Sequence, residues 1–144
     1  MNTQQPFTVY RLPIAVHNAH QQLTKEGGLT AALGSNDLGV RLLGYRTHFA
    51  NCNLNTREFT YLVELTKDAV EQGVLKPYCT IEASSADEVA AKPTPLYYEP
   101  NRGDNIELVS DYEALEPIGG MGAELIGRGD LYWLSTKHGA IEIG

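Results

Sequence analysis

Hydrophobic and polar positions alternate most cleanly from Val40 to Leu65. Arg41, Leu43, Tyr45, Thr47 and Phe49 fall on one side of a two-residue period. Phe59, Tyr61, Val63 and Leu65 do the same in a second run, with Glu58, Thr60 and Glu64 opposite. Successive strand side chains point to opposite faces, so the pattern predicts two half-buried strands joined across Ala50 to Thr56. A second period competes with the first. Asn55-Thr56-Arg57-Glu58 has the form of a capping box, and Phe59, Leu62, Val63 and Val70 recur at helical spacing toward Gly73. A helix from Thr56 to Gln72 is therefore the alternative. The strand is preferred because Thr60, Tyr61 and Val63 are β-formers in strict alternation.

Around this stretch the chain divides into short elements. Phe7 to Leu12 reads as a strand that Pro13 ends, or that gives way to a helix with Pro13 in its first position, where a missing N–H costs nothing. Ile14 to Glu26 fits a helix carrying Val16, Ala19 and Leu23 on one face, stopped by Gly27-Gly28, with room for one further turn before Ser35. Asn36 to Gly39 is turn chemistry. Asp68 to Gln72 is helical on either reading of the preceding run, and Pro77 to Ala83 is a strand with Cys79 and Ile81 on one side and Tyr78, Thr80 and Glu82 on the other. Ser85-Ala86-Asp87-Glu88 is a second capping-box pattern and starts a short helix. From Lys92 to Pro100, prolines at 93, 95 and 100 leave only an edge strand or an extended arm, because proline cannot donate inside a sheet. Ile106 to Ser110 is a strand. The tail, with strands at Ala123 to Ile126, Leu131 to Ser135 and Ala140 to Ile143, is a glycine-punctuated antiparallel meander. These elements predict an α+β fold: one domain over 1–144, an antiparallel sheet of about five to seven strands, two or three short helices, and a C-terminal β-meander.

Charge changes the picture in one place. The chain has 144 residues and a net charge of −7. The segment 82–116 holds nine acids (Glu82, Asp87, Glu88, Glu99, Asp104, Glu107, Asp111, Glu113 and Glu116) against Lys92 and Arg102, so it accounts for the whole imbalance. Direct binding to a nucleic-acid backbone is disfavoured, because the bases are few and scattered. No apolar run is long enough to span a bilayer and the first residues show no secretory signal, so a cytoplasmic protein, or part of a soluble particle, is expected, without a membrane partner. Two cysteines, Cys52 and Cys79, are too few for a disulfide framework and are expected as reduced thiols.

Candidate chemistry is thin by comparison. His17 and His20, three apart on the first helix, are weak metal candidates that need a further donor such as His48, Cys52, Cys79 or Asp37. His20 also falls beside Val16 and Leu23, where a boundary histidine is expected. Cys52 with His48, and Ser135 with His138, pair a nucleophile and a base in sequence without a strained glycine elbow. Gly119-Gly120-Met121-Gly122 lacks the lysine and following helix of a phosphate-cradling loop. Arg102-Gly103-Asp104 and Arg128-Gly129-Asp130 are turn chemistry. No cofactor and no catalytic group is assigned.

The expected function is therefore non-enzymatic: a protein-interaction or assembly subunit, and one form of it is a component of a larger homomeric structure. Its contacts are the acidic segment and the proline-spaced arm at 92–100, through Leu96, Tyr97, Tyr98, Glu99, Asp104, Glu107, Asp111 and Glu113. Tyrosine suits such a surface by joining an apolar body to a polar tip. The partner expected is a basic protein surface, including another copy of this chain, whose first 55 residues carry Arg11, Lys25, Arg41 and Arg46 against Glu26 and Asp37. Two alternatives compete: an acidic decoy occupying the basic groove of a nucleic-acid-binding protein, and a small hydrolase or metal enzyme using His17, His20 and His48.

Overall fold

A computed structural model describes residues 5–51, 55–90, 106–108, 124–136 and 139–143. In chain order its elements are β1 (Gln5–Arg11), α1 (Ile14–Leu33), α2 (Leu38–Asn51), α3 (Thr56–Glu71), β2 (Lys76–Ala83), α4 (Ala86–Ala90), β3 (Ile106–Leu108), β4 (Leu125–Arg128), β5 (Leu131–Thr136) and β6 (Gly139–Glu142). The six strands form one sheet in the order β3-β2-β1-β4-β5-β6, with every neighbouring pair antiparallel. The fold is α+β, and β4 to β6 are the expected meander. Among the described residues no helix is long and apolar enough to cross a membrane.

The described residues from Val40 to Leu65 belong to two helices, α2 and α3, with Asn55 as the cap of the second, which corrects the two-strand expectation. Asp37 caps α2: its Oδ1 accepts the Val40 N–H at 3.0 Å. Asn55 caps α3 in a complete capping box, its side chain accepting the Glu58 N–H at 2.8 Å while Glu58 accepts the Asn55 N–H at 3.3 Å. Two orphan donors are satisfied at once, and the β-formers Thr60, Tyr61 and Val63 follow. The buried positions of α3 are Leu62, Leu65, Thr66 and Ala69, spaced three and four apart as a helix requires. Gly73, at φ +74°, ends α3, with the Val74 N–H reaching back to Ala69 O at 2.8 Å. The helices are also longer than expected, because α1 runs on past Gly28, which sits at φ 74° and kinks it.

Two glycines let the helices approach. A Cβ on Gly44 would stand 3.2 Å from Ala32 Cβ of α1, and one on Gly39 would stand 3.0 Å from Val16. The helical layer then covers one side of the sheet. Leu42, Leu43, Leu62 and Leu65 pack with Leu125, Leu134 and Ile143, and Tyr10 and Tyr132 adjoin them. On the other side Phe7, Val9, Cys79, Ile81 and Ile126 form a second cluster with Ala86 and Val89 of α4, and Trp133 meets Phe7 edge-on at 5.7 Å. Burying a side chain of this kind contributes about 1.5–3 kcal/mol.

Candidate functional site

Four acids of the acidic segment are among the described residues, and α4 takes up two of them. Glu88 accepts from the Ser84 N–H at 3.0 Å and the Ser84 hydroxyl at 2.6 Å, while Ser85 Oγ accepts the Glu88 N–H at 3.2 Å. Asp87 accepts the Ala140 N–H of β6 at 2.8 Å. The other two, Glu82 and Glu107, are exposed. Thr80 pairs with Glu107, Thr8 with Thr80, and Pro6 with Glu82. Residues two apart on a strand share a face, so Glu82 and Glu107 rise from the same side of the sheet as a cross-strand diagonal, about 7–8 Å apart. Pro6 is exposed beside them and Thr8 and Thr80 are half-buried, so this corner lies beyond the tightly packed helical layer. Leu96, Tyr97, Tyr98, Glu99, Asp104, Asp111 and Glu113 lie outside the described residues.

Of the four basic residues in the first 55 positions Lys25 is the exposed one, so a basic face on another copy draws also on later exposed residues such as Arg57, Lys67 and Lys76. Arg11 and Arg46 are buried, Arg41 is half-buried with its guanidinium donating to Tyr61 Oη at 3.2 Å, and Lys25 is exposed. Arg11 is held by structure. Its Nε donates to Glu124 Oε1 at 2.8 Å with both side chains fully buried, and its guanidinium lies 3.7 Å from the centre of the Tyr78 ring. A one-residue slip in the β1–β2 register, with Val9 opposite Cys79 and Tyr10 opposite Pro77, leaves Tyr78 as the extra residue beneath that cation.

The remaining chemical candidates have structural surroundings. His17 is half-buried and His20 buried on α1, and among the described residues no three His, Cys, Asp or Glu side chains gather where a metal ion would sit. His48 Nε2 lies 3.4 Å from Glu58 Oε2, tying the end of α2 to the start of α3. Ser135 is buried and its Oγ accepts the Glu124 N–H at 3.1 Å, so it anchors the entry to β4. Cys52, His138, Gly119 to Gly122 and Arg102 to Asp104 lie outside the described residues. Cys79 is a free, buried thiol. Burial, with the Glu124 carboxylate adding to it and Arg11 opposing, pushes that thiol up to about 12, so it stays protonated and unreactive near neutral pH. Arg128-Gly129-Asp130 is the β4–β5 turn, with Gly129 at φ 60°.

Sequence reading missed a cleft beside α3. It is open, has a volume of about 730 Å³, and is lined by Tyr45, Asn55, Arg57, Thr60, Tyr61 and Glu64 among others. Tyr45 and Tyr61 meet edge-on at 5.1 Å along it. The strand reading sets Thr60 and Glu64 on the face opposite Tyr61; in α3 they line one cleft together.

No family model matches this chain, and no curated protein or solved structure matches it.

Proposed function

We propose that this chain is a non-enzymatic interaction or assembly subunit that meets a basic protein surface through the acidic stretch 82–116. The observation that supports it is the pair Glu82 on β2 and Glu107 on β3, exposed on one sheet face at an edge of the sheet among the described residues, within a stretch holding nine of the chain's 18 acids. Carboxylates arranged in this way steer a cationic partner and fix its register, and salt weakens the contact.

Mass in solution tests the homomeric form. The chain is expected to associate at low salt and to dissociate as salt rises, and the double variant Glu82→Lys/Glu107→Lys is expected to shift the low-salt mass toward one chain. A mass of one chain at every salt and concentration overturns it. The same two carboxylates carry the second reading, a decoy in the basic groove of a nucleic-acid-binding protein. It predicts that a monomeric chain displaces DNA from such a protein, and that the double variant does not.

A further inference from the structure

β6 is an edge of the sheet among the described residues, and its hydrogen-bonding groups can be assigned. The Ile143 N–H donates to Tyr132 O at 2.9 Å, and Leu134 is opposite Ile141 while Ser135 is opposite Ala140. Antiparallel pairs alternate between bonded and non-bonded, so Gly139 and Ile141 turn their amides toward β5. Ala140 and Glu142 turn theirs outward. These two outward residues flank Ile141, which is 40% exposed.

That arrangement is self-complementary. If a second β6 runs antiparallel about a two-fold axis through Ile141, Ala140 stands opposite Glu142 of the other copy, in the register that exchanges both N–H···O bonds, and the reciprocal pair does the same. Four hydrogen bonds form and the two Ile141 side chains meet at the axis, at a non-hydrogen-bonded site where side chains approach closest.

Asp87 stands in the way. Its Oδ1 occupies the outward Ala140 N–H at 2.8 Å, and the fit is built from both sides. Gly139 is at φ +117°, and a Cβ there would lie 2.8 Å from the same oxygen. A carboxylate seated in the hydrogen-bonding line of an edge strand removes a donor, adds bulk, and sets like charges against each other in the paired state, where Asp87, seated on Ala140, faces Glu142 of the other copy. Natural sheets protect edges by such means.

We infer that the β6 edge is a self-pairing surface held closed by Asp87, and that the partner it admits when opened is β6 of a second copy of this chain. The inference is independent of the acidic-surface proposal, because its test is read at high salt, where charge-led association is suppressed.

Light-scattering mass measurements across a concentration series form the experiment. Asp87→Ala, and Asp87→Ser as a second opening variant that keeps a polar residue in the first turn of α4, are each expected to double in mass as concentration rises, while wild type does not. Asp87→Asn keeps the Oδ1 acceptor and is expected to match wild type. Adding Glu142→Pro to Asp87→Ala is expected to restore the wild-type mass, since the Glu142 N–H faces outward and proline there removes only the pairing donor. In wild type the Ala140 amide is expected to exchange with solvent more slowly than the Glu142 amide, and this reading needs no variant to fold. Equal exchange at the two amides overturns the shield. Opening variants that keep the wild-type mass, or a doubled mass that survives Glu142→Pro, overturn the pairing surface.

Discussion

The two sides of the sheet are buried by different means. On the α4 side the apolar cluster of Phe7, Val9, Ile81 and Ile126 surrounds a guanidinium, a carboxylate, a phenol and a thiol: Arg11, Glu124, Tyr78 and Cys79. On the helical side Leu42, Leu43, Leu62, Leu65, Leu125 and Leu134 meet, and among the described residues no fully buried ion pair joins them. An aliphatic layer responds to change in proportion to the volume lost. A buried ion pair responds all or none, because removing one partner strands the other in a medium that cannot solvate it. The α4 side is thus the specific one and the helical side the forgiving one.

The sharpest way to break the contrast is to remove one charge. Glu124→Ala or Arg11→Ala is expected to cost about 3–5 kcal/mol in urea unfolding, whereas the joint change Arg11→Met/Glu124→Leu is expected to restore most of that loss. If the joint variant is no better than the single ones, the α4 side is not governed by its ion pair. Next in size, Leu62→Ala on the helical side is expected to cost about 2–5 kcal/mol, with the neighbouring leucines closing part of the gap. Asn55→Ala should remove about 1 kcal/mol by uncapping α3, and Asn55→Asp should lose far less; thermal melts of the pair check this. The smallest effect at neutral pH belongs to Cys79. Its folded-state pKa is raised from 9.0 to about 12, so the unfolded chain loses that proton first. The contribution is fully present below pH 9 and fades as pH rises toward about 12. Unfolding measured across that window should show a downward slope that Cys79→Ala reduces, and in the native chain below it Cys79 should resist thiol-directed alkylation.

The strands were legible because each carries its own evidence. Phe7, Val9, Cys79 and Ile81 alternate with polar residues, and glycine and proline mark the ends. The misreading from Val40 to Leu65 has a definite cause. Alternation such as Arg41-Leu43-Tyr45 holds only if the intervening residues face water, yet Leu42, Gly44 and Arg46 are buried. Leu42 and Arg46 are four apart, as are Val40 and Gly44, and that spacing was the helical signal. At α3 the capping box was visible from the sequence and outweighed local β-propensity once Leu62, Leu65 and Ala69 had a core to enter. Of the acidic surface, Glu107 was legible as an exposed acid, and its alignment with Glu82 was not, because cross-strand register lies outside a single segment's pattern. Arg11 and Glu124 gave no signal: each is one ordinary charge, 113 residues from its partner.

That separation bears on how the chain is made. β1 is a central strand, yet one neighbour, β2, follows three intervening helices and the other, β4, begins at Leu125. During synthesis the helices and the β1–β2 pair can form early, but Arg11 cannot meet Glu124 until that residue has left the ribosome. Until then its charge opposes closure of the α4 side, so the last third of the chain acts as a proofreading step for the first. A product that stops short of Glu124 lacks the carboxylate that closes its most specific surface, and is expected to stay open there to chaperones and proteases.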